Sequence, residues 1–323
     1  MSTTNGKKRG IITGAAGFAG YSLTSHLLLR GYELYTICRP GSPHNLRLTP
    51  NNILSTLKSD NIKGSINSDI SVLNMQDVSC RLHMIEIDSS EYSKLPELID
   101  DECDLLFHLT WVGERDDFAT QFSNIEQAID VVEGAYKLGC KRVIFTGSQA
   151  EYGVKNCLIS EDLITEPLYA YGAAKVAAQN LTKIRCEQLG IEWIWGRIFS
   201  LYGLYEPKGR MLPDLVARLK RGETMSLSSC RQNWDYLDAG DAAEAIISLA
   251  ERGHSGEIYN LANGDSRPLK EFVEEIRSIV NPAVQIEYGD DSDPFISLRP
   301  DVSKILSHTG WRPKVKFMQG YFE

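Results

Sequence analysis

The sequence predicts an α/β fold in which a doubly wound parallel sheet is accompanied by a smaller C-terminal lobe. Short apolar runs recur that are typical of strands buried on both faces. Segments with helical spacing alternate with these runs, and a glycine-rich turn follows the first of them. The length of 323 residues allows one large domain or two of moderate size.

The first predicted unit is a strand, a tight turn, a helix and a second strand. The apolar run at 9–15 closes on a glycine, residues 18–30 carry apolar side chains at helical spacing, and a second apolar run covers 33–38. Residues 40–80 are polar and lack a sustained period, so we expect an insertion there that is either a functional flap or mobile.

Three further buried strands and one long helix complete the predicted sheet. The strands are expected at 82–87, 104–109 and 142–146, with helical spacing around 125–136. Beyond Arg197 the pattern becomes mixed and predicts the smaller lobe. We assign 1–197 and 233–263 to the sheet domain and 198–232 and 264–323 to the lobe.

Composition excludes several classes of protein. A net charge of −9 and a pI near 5.3 disfavour a nucleic-acid partner. The chain has no apolar stretch long enough for a membrane span and no signal-peptide pattern at its start, so we expect a cytoplasmic protein. Scattered cysteines without a C-x-x-C pair indicate reduced thiols, and we predict no metal site. These cysteines are Cys38, Cys80, Cys103, Cys140, Cys157, Cys186 and Cys230.

The turn after the first strand has the spacing of a dinucleotide-binding, or Rossmann, turn. Glycines at such positions allow a sharp turn and close approach of a pyrophosphate, while the helix N-terminus attracts the anion. The alternative is a glycine-rich turn that binds nothing. The residues are Thr13-Gly14-Ala-Ala-Gly17-Phe18-Ala19-Gly20.

An arginine marks the end of the second predicted strand. Arg39 stands where an NAD-preferring site has an acidic residue. A cation there suits a 2′-phosphate, so NADP(H) is favoured over NAD(H), with Arg47 assisting. Alternatively, Arg39 is only a solvated charge at the strand end.

Tyr171 and Lys175 lie four residues apart, on one face of a predicted helix. The ordinary pKa of a phenol is near 10, about three units too high for proton exchange at neutral pH, and a neighbouring cation lowers it. Ser148 follows a strand at the edge where such sheets bind ligands. The Tyr–Lys spacing alone also occurs by accident on amphipathic helices.

These motifs together resemble the extended short-chain dehydrogenase/reductase family that acts on nucleotide sugars. The likeness covers nearly the whole chain except residues 40–80. Besides the glycine turn and the Tyr–Lys pair, it rests on Gly147-Ser148-Gln-Ala-Glu-Tyr152-Gly153, Arg197-Ile-Phe-Ser-Leu-Tyr202-Gly203, Trp234-Asp-Tyr-Leu-Asp238-Ala-Gly-Asp241, Leu298-Arg299-Pro300 and Gly310-Trp311-Arg-Pro313.

The resemblance implies roles for individual residues. Ser148, Tyr171 and Lys175 would form the catalytic triad. Residues expected at the cofactor are Gly14, Gly17, Phe18, Ala19, Gly20, Arg39, Asp88, Leu109, Phe199 and Ser200. Those expected at a nucleoside-diphosphate sugar are Glu151, Arg231 and Arg299. Helices at 124–138 and 171–188 would pair in a homodimer.

One position bears on which reaction of the family is expected. Related dehydratases carry a glutamate where this chain has Ala150, which disfavours 4,6-dehydration. The surrounding pattern is similar to reductases of nucleoside-diphosphate-4-keto-6-deoxy sugars, which agrees with NADPH as reductant. We therefore expect reduction of a C4 ketone, with a C4-epimerase as the alternative and a non-catalytic cofactor-sensing protein as a third candidate.

Several other residues have competing interpretations. His108 ends a predicted strand and is expected to be a structural hydrogen-bonding group. Trp111 and Trp234 could stack on a sugar or base, although packing is an equal alternative. For Asp235, Asp238 and Asp241, helix capping is a better explanation than a metal site.

Overall fold

The computed structural model describes residues 8–58 and 73–318. Seven strands form one parallel sheet in the order β3-β2-β1-β4-β5-β6-β11, which confirms the doubly wound prediction. The strand order changes direction beside β1, where such sheets open a crevice for ligands. The strands are β1 Arg9–Thr13, β2 Glu33–Cys38, β3 Leu82–Glu86, β4 Leu105–His108, β5 Arg142–Ser148, β6 Glu192–Ile198 and β11 Glu257–Leu261.

Helices cover both faces of the sheet. The helices are α1 Phe18–Leu29, α2 Pro50–Lys58, α3 Met75–Arg81, α4 Leu95–Leu98, α5 Phe118–Lys137, α6 Ala170–Leu189, α7 Met211–Arg221, α8 Ala239–Arg252, α9 Leu269–Val280 and α10 Ser303–Thr309. Helices α1 and α8 pack on one face, and α5 and α6 on the other. Successive strand residues supply the two cores, since Ile12 packs towards α1 and Ile11 towards α5.

The described part of segment 40–80 is largely helical, in contrast to the expectation from its polar sequence. It contains a 3-10 helix at Pro43–Leu48 as well as α2 and α3. Its sparse apolar side chains, among them Ile53, Leu57 and Val78, are buried in the core beside α1. The predicted flap otherwise falls on residues 59–72, outside the described residues.

A third apolar cluster lies between α7 and α9 and includes Leu215, Leu219 and Phe272. Short strands accompany it and pair as β7 with β10, β8 with β13 and β9 with β12. Their bounds are β7 Ser200–Tyr202, β8 Met225–Leu227, β9 Asn233–Trp234, β10 Tyr236–Asp238, β12 Arg267–Pro268 and β13 Ile286–Tyr288. The predicted domain boundaries stay a prediction.

The register of the sheet brings the ends of its strands to one edge. Thr13 of β1 pairs with His108 of β4, and Ser148 of β5 pairs with Ile198 of β6. Residues that follow these strands therefore share the edge where a ligand binds. In the described ranges, no helix combines the length and apolar character needed to traverse a bilayer. All seven cysteines are free thiols.

Candidate active site

The turn between β1 and α1 is shaped by two glycines. Gly14 has φ +74°, which an L side chain rarely adopts, and its carbonyl accepts the Gly17 N–H at 3.0 Å. A Cβ on Gly20 would lie 2.1 Å from the Gly14 carbonyl oxygen, so α1 can approach the turn only with glycine there. The α1 N-terminus has no side-chain cap, which fits this turn to a pyrophosphate.

A cavity of about 540 Å³ opens beside this turn. Five of the predicted cofactor residues line it, namely Gly14, Gly17, Arg39, Asp88 and Leu109. Arg39 is exposed at its rim. Asp88 also caps a turn, because its carboxylate accepts the Ser90 N–H at 3.0 Å. Asp88 thus caps a turn at the edge of the cavity, and its contact with a cofactor stays a prediction.

Arg47 occupies a different position from the one expected. Its Nη1 donates to the Ala16 carbonyl at 3.0 Å, and its guanidinium lies 4.3 Å from the ring centroid of Tyr205. Arg47 therefore fastens the glycine turn and does not line the cavity beside Arg39. Its spacing in the sequence does not reveal this contact.

Ser148, Tyr171 and Lys175 border a second cavity, of about 360 Å³, together with Phe18, Ala19 and Leu109. Ser148 ends β5, and α6 carries the other two residues of the predicted triad. The start of α6 is fixed by the Tyr171 N–H, which donates to the Arg115 carbonyl at 2.9 Å. Farther along α6, Lys175 Nζ donates to the Thr146 carbonyl at 2.7 Å.

Burial shifts the pKa of both predicted triad residues on α6, Tyr171 and Lys175. It lowers the pKa of Lys175 to about 7, although the charge of Glu151 acts in the opposite direction. Burial raises the pKa of Tyr171, whereas a hydrogen bond with Ser148 and the charges of Arg210 and Arg115 lower it. The phenol is therefore protonated at neutral pH.

A third cavity, of about 620 Å³, shares Ser148, Tyr171, Phe199 and Arg210 with the second. The predicted cofactor residue Ser200 borders it, and so does Trp234, one of the two tryptophans with open interpretations.

Four charged residues of this third cavity are absent from the sequence prediction. They are Glu114, Arg115, Glu206 and Arg210. Burial raises the pKa of Glu206 to about 7, and the charge of Arg210 opposes that rise. All four lie in irregular loops where no spacing pattern identifies them.

Glu151 is misassigned as a substrate-binding residue. Its carboxylate is fully buried and accepts Arg197 Nε at 2.6 Å, Ser148 N–H at 2.7 Å and Trp195 Nε1 at 3.1 Å. The chain enters a 3-10 turn at Gln149–Glu151, and the turn directs Glu151 back beneath Ser148. Its role in the structure is to hold the end of β5.

The two arginines expected at a diphosphate lie outside the three cavities. Arg231 is 72% exposed and forms an ion pair with Asp291, with Nε 3.2 Å from Oδ1. Arg299 is exposed, and its carbonyl accepts the Ile159 N–H at 2.7 Å. Their role at a substrate stays a prediction.

His108 has the structural role expected of it. Its Nδ1 forms a 2.8 Å hydrogen bond with the Thr13 hydroxyl, and burial lowers its pKa to about 3, so the ring is neutral.

The three aspartates of 235–241 all accept backbone N–H groups. Asp235 binds the Asn263 N–H, Asp238 caps α8 and Asp241 binds the Lys314 N–H. Among the residues that the structure describes, no cluster of metal-ligating side chains is present.

Three comparisons place these features among known proteins. A dTDP-4-dehydro-6-deoxyglucose reductase from Escherichia coli is 24% identical over 326 residues, covering 97% of this chain and 96% of that protein. RMD from Pseudomonas aeruginosa, complexed with NADPH, has a TM-score of 0.75 at 19% identity over 98% of this chain and 97% of its own. UDP-glucuronic acid 4-epimerase from Bacillus cereus, in complex with NAD, has a TM-score of 0.77 at 21% identity over 97% and 96%.

The likeness to solved structures establishes the fold, and a family match establishes the wider relationship. The family described as "NAD dependent epimerase/dehydratase family" matches residues 11–262, which include the glycine turn and the Ser148, Tyr171 and Lys175 positions. The chain belongs to this family of extended short-chain dehydrogenase/reductases, which modify nucleotide sugars with a nicotinamide cofactor.

Proposed function

We propose that this enzyme reduces the C4 ketone of a nucleoside-diphosphate-4-keto-6-deoxy sugar, with NADPH as reductant. The observation that carries the proposal is the convergence of Ser148, Tyr171 and Lys175 on one cavity at the carboxyl edge of the sheet. This cavity opens into a larger one with room for a sugar.

Each triad residue has a distinct task in the proposed reaction. Bound NADPH supplies the hydride that the carbonyl carbon accepts. Tyr171 gives its phenolic proton to the carbonyl oxygen, and Ser148 donates a hydrogen bond to the same oxygen. The ketone thus gains a hydride and a proton and becomes an alcohol. The charge of Lys175 stabilises the phenolate until water returns the proton.

Tyr171 holds the proton that the proposed reduction requires. Burial keeps its pKa above the ordinary value of a phenol, so the group holds a proton at neutral pH. A reductase needs such a proton donor, whereas an alcohol dehydrogenase needs a base at this position. The nearby Arg115 and Arg210 charges favour the phenolate that forms after proton transfer.

The larger cavity suits an anionic sugar ligand, and its lining has no carboxylate at the position of the dehydratase glutamate. Arg115 and Arg210 line it and can attract a diphosphate, to which we add the predicted Arg231 and Arg299. Ala150 stands at the position of the dehydratase glutamate, and Glu151 is buried outside the cavity.

NADPH is proposed as the cofactor because of Arg39. Its exposed guanidinium lines the cavity beside the glycine turn, where a 2′-phosphate would be accessible to it. NAD(H) is the alternative, as bound in the related 4-epimerase structure.

A C4-epimerase is the second candidate function. With a bound oxidised nicotinamide cofactor to take up the C4 hydride and return it to the other face, the same tyrosine would accept and return the hydroxyl proton, with the serine and lysine beside it. The chain also shares its fold with a UDP-glucuronic acid 4-epimerase. The two activities differ in their use of cofactor, because only the reductase consumes one NADPH per sugar.

Net oxidation of NADPH tests the proposal. Purified enzyme is mixed with dTDP-4-keto-6-deoxyglucose or GDP-4-keto-6-deoxymannose, and absorbance at 340 nm is followed. We expect one NADPH consumed per sugar, and we expect Tyr171→Phe to lower kcat by about 100-fold or more without weakening NADPH binding. A separate assay supplies a nucleotide sugar with a hydroxyl at C4, such as UDP-glucose. Inversion of that C4 centre with no net oxidation of NADPH, together with no reduction of the 4-keto sugars, would instead establish the epimerase. Full activity of Tyr171→Phe would refute both mechanisms.

We also propose a homodimer that forms through α5 and α6. Phe118 and Phe122 on α5 are 75% and 73% exposed, and Leu181 and Ile184 on α6 are also exposed. Pairing with a second copy would bury this apolar surface in a four-helix bundle. Light scattering should give twice the mass of the chain, and Phe122→Lys should yield monomers. A wild-type monomer at micromolar concentration would contradict the dimer.

A further inference from the structure

We propose that Trp111 is a positioning residue that holds the Lys175 ammonium in place and in its charged form. The Nζ atom lies 3.8 Å from the centroid of the indole ring. Trp111 also borders both the 540 Å³ and the 360 Å³ cavities, so the indole stands where the two predicted parts of the cofactor site meet. Only its effect on turnover rests on the proposed function.

The ammonium group of Lys175 has few other stabilising contacts. Among the described residues, its one hydrogen bond goes to the Thr146 carbonyl, although an ammonium can donate three. The Trp195 ring is more distant, at 5.9 Å. The face of the Trp111 ring therefore supplies a substantial part of the remaining stabilisation of this desolvated cation.

The titratable groups around Lys175 do not by themselves fix its protonation state, so a contact with the indole can change it. Glu151 favours the charged form, whereas burial disfavours it and lowers the Lys175 pKa to about 7. His108 is neutral at working pH, and Tyr171 is protonated. Because the two forms of Lys175 are nearly balanced, loss of a favourable contact changes the fraction that is charged at neutral pH.

The indole is held in a fixed orientation. Its Nε1 donates to Gln121 Oε1 at 2.8 Å, and Gln121 Nε2 donates to the Glu114 carbonyl at 2.9 Å. Asn124 binds both the N–H and the carbonyl of Val112. The loop after β4 is thus fastened to α5, and the indole plane lies at 89° to the Tyr171 ring, with 6.3 Å between centroids.

Two substitutions at position 111 separate the effect of an aromatic ring face from the effect of side-chain size. Trp111→Phe keeps an aromatic face over Nζ, whereas Trp111→Leu leaves an apolar side chain of similar size to phenylalanine without one. We expect the Lys175 pKa to be about one unit lower in the leucine variant than in the phenylalanine variant. Trp111→Met serves the same purpose if the leucine variant does not fold.

The experiment is a titration of the cofactor-free enzyme followed by NMR. The protein is labelled with ¹³C at lysine Cε, and the Lys175 signal is assigned by its loss in Lys175→Met. A lower pKa in the leucine or methionine variant than in the phenylalanine variant supports the proposal. Equal pKa values in the aromatic and aliphatic variants overturn it.

The pH profile of kcat then tests the consequence for turnover. We expect its alkaline limb to move to lower pH in Trp111→Leu and to remain closer to wild type in Trp111→Phe. If no variant reduces a 4-keto sugar while the NMR shift is present, the proposed reaction fails and the role of Trp111 stands. If all variants are active and titrate alike, the reaction stands and the role of Trp111 fails.

Discussion

Glu151 and Arg197 form an ion pair beneath the candidate active site, with Glu151 Oε2 2.6 Å from Arg197 Nε and side chains that are 0% and 2% exposed. The carboxylate also accepts the Ser148 N–H, and the guanidinium donates to Gln179 on α6 at 2.9 Å. The pair therefore joins the strand that ends at Ser148 to the helix that carries Tyr171 and Lys175. Its position explains why a glutamate so close to Ser148 does not line the cavity beside it.

Removal of the Glu151 charge should destabilise the fold. Glu151→Gln leaves the Arg197 charge buried without its counterion, and we expect a loss of about 3–5 kcal/mol in the free energy of unfolding. Urea denaturation measures the loss. The matched control is Glu223→Gln, which removes the exposed partner of Arg221 and should leave the midpoint unchanged. Equal midpoints for the Glu151 variant and wild type would contradict the role of the pair.

Gly20→Ala should disrupt cofactor binding. Its Cβ would meet the Gly14 carbonyl oxygen at 2.1 Å, so the turn must shift, and a displacement of about 1 Å can cost about 100-fold in binding or rate. Titration of NADPH fluorescence measures the affinity. Gly134→Ala is the control, because a Cβ there meets no atom closer than 3.8 Å. Unchanged affinity in Gly20→Ala would show that this turn does not carry the cofactor.

Lys175→Met should stabilise the enzyme at neutral pH while abolishing turnover. The folded-state pKa of about 7 lies below the ordinary value of 10.5, so the unfolded chain binds more protons between these pH values. Wild-type stability at this site therefore rises with pH across that window. We expect the variant to be more stable by about 2–4 kcal/mol at pH 7 and the gap to narrow by pH 9.5.

Urea denaturation at the two pH values tests the Lys175 prediction. Lys137→Met, at an exposed position of α5, should change stability little at either pH. A gap between Lys175→Met and wild type that does not depend on pH would show that the lysine is not held in a desolvated site.

Arg39→Ala should weaken NADPH binding selectively. Loss of one charge-assisted hydrogen bond to a 2′-phosphate corresponds to about 10- to 100-fold in affinity, whereas NADH has no group at that position. Calorimetry with both cofactors measures the difference. A similar loss for both, or a wild-type preference for NADH, would assign Arg39 to the solvated strand end.

The sequence was most informative where backbone geometry dictates residue type. The glycines of the β1–α1 turn and the Tyr171–Lys175 spacing are local patterns, and each lies where it was predicted. Glu151 was assigned to the substrate by resemblance alone, whereas the 3-10 turn after β5 directs its side chain into a buried ion pair with Arg197.

Local sequence patterns do not predict contacts between segments that are distant along the chain. Trp111 meets Lys175 through long-range packing of a loop against α5 and α6, and Arg115 and Arg210 reach the same cavity from separate loops. Helix α2 was missed because its few apolar residues stand among many polar ones.

Transfer of deuterium tests the proposed reaction most directly. The enzyme is incubated with a 4-keto-6-deoxy nucleotide sugar and NADPH doubly deuterated at C4 of the nicotinamide, and the product is analysed by NMR and mass spectrometry. The account predicts one deuterium at C4 of the sugar and one NADP⁺ formed per product. Recovery of the unreduced 4-keto sugar, with no deuterium incorporated and no loss of NADPH, would contradict it.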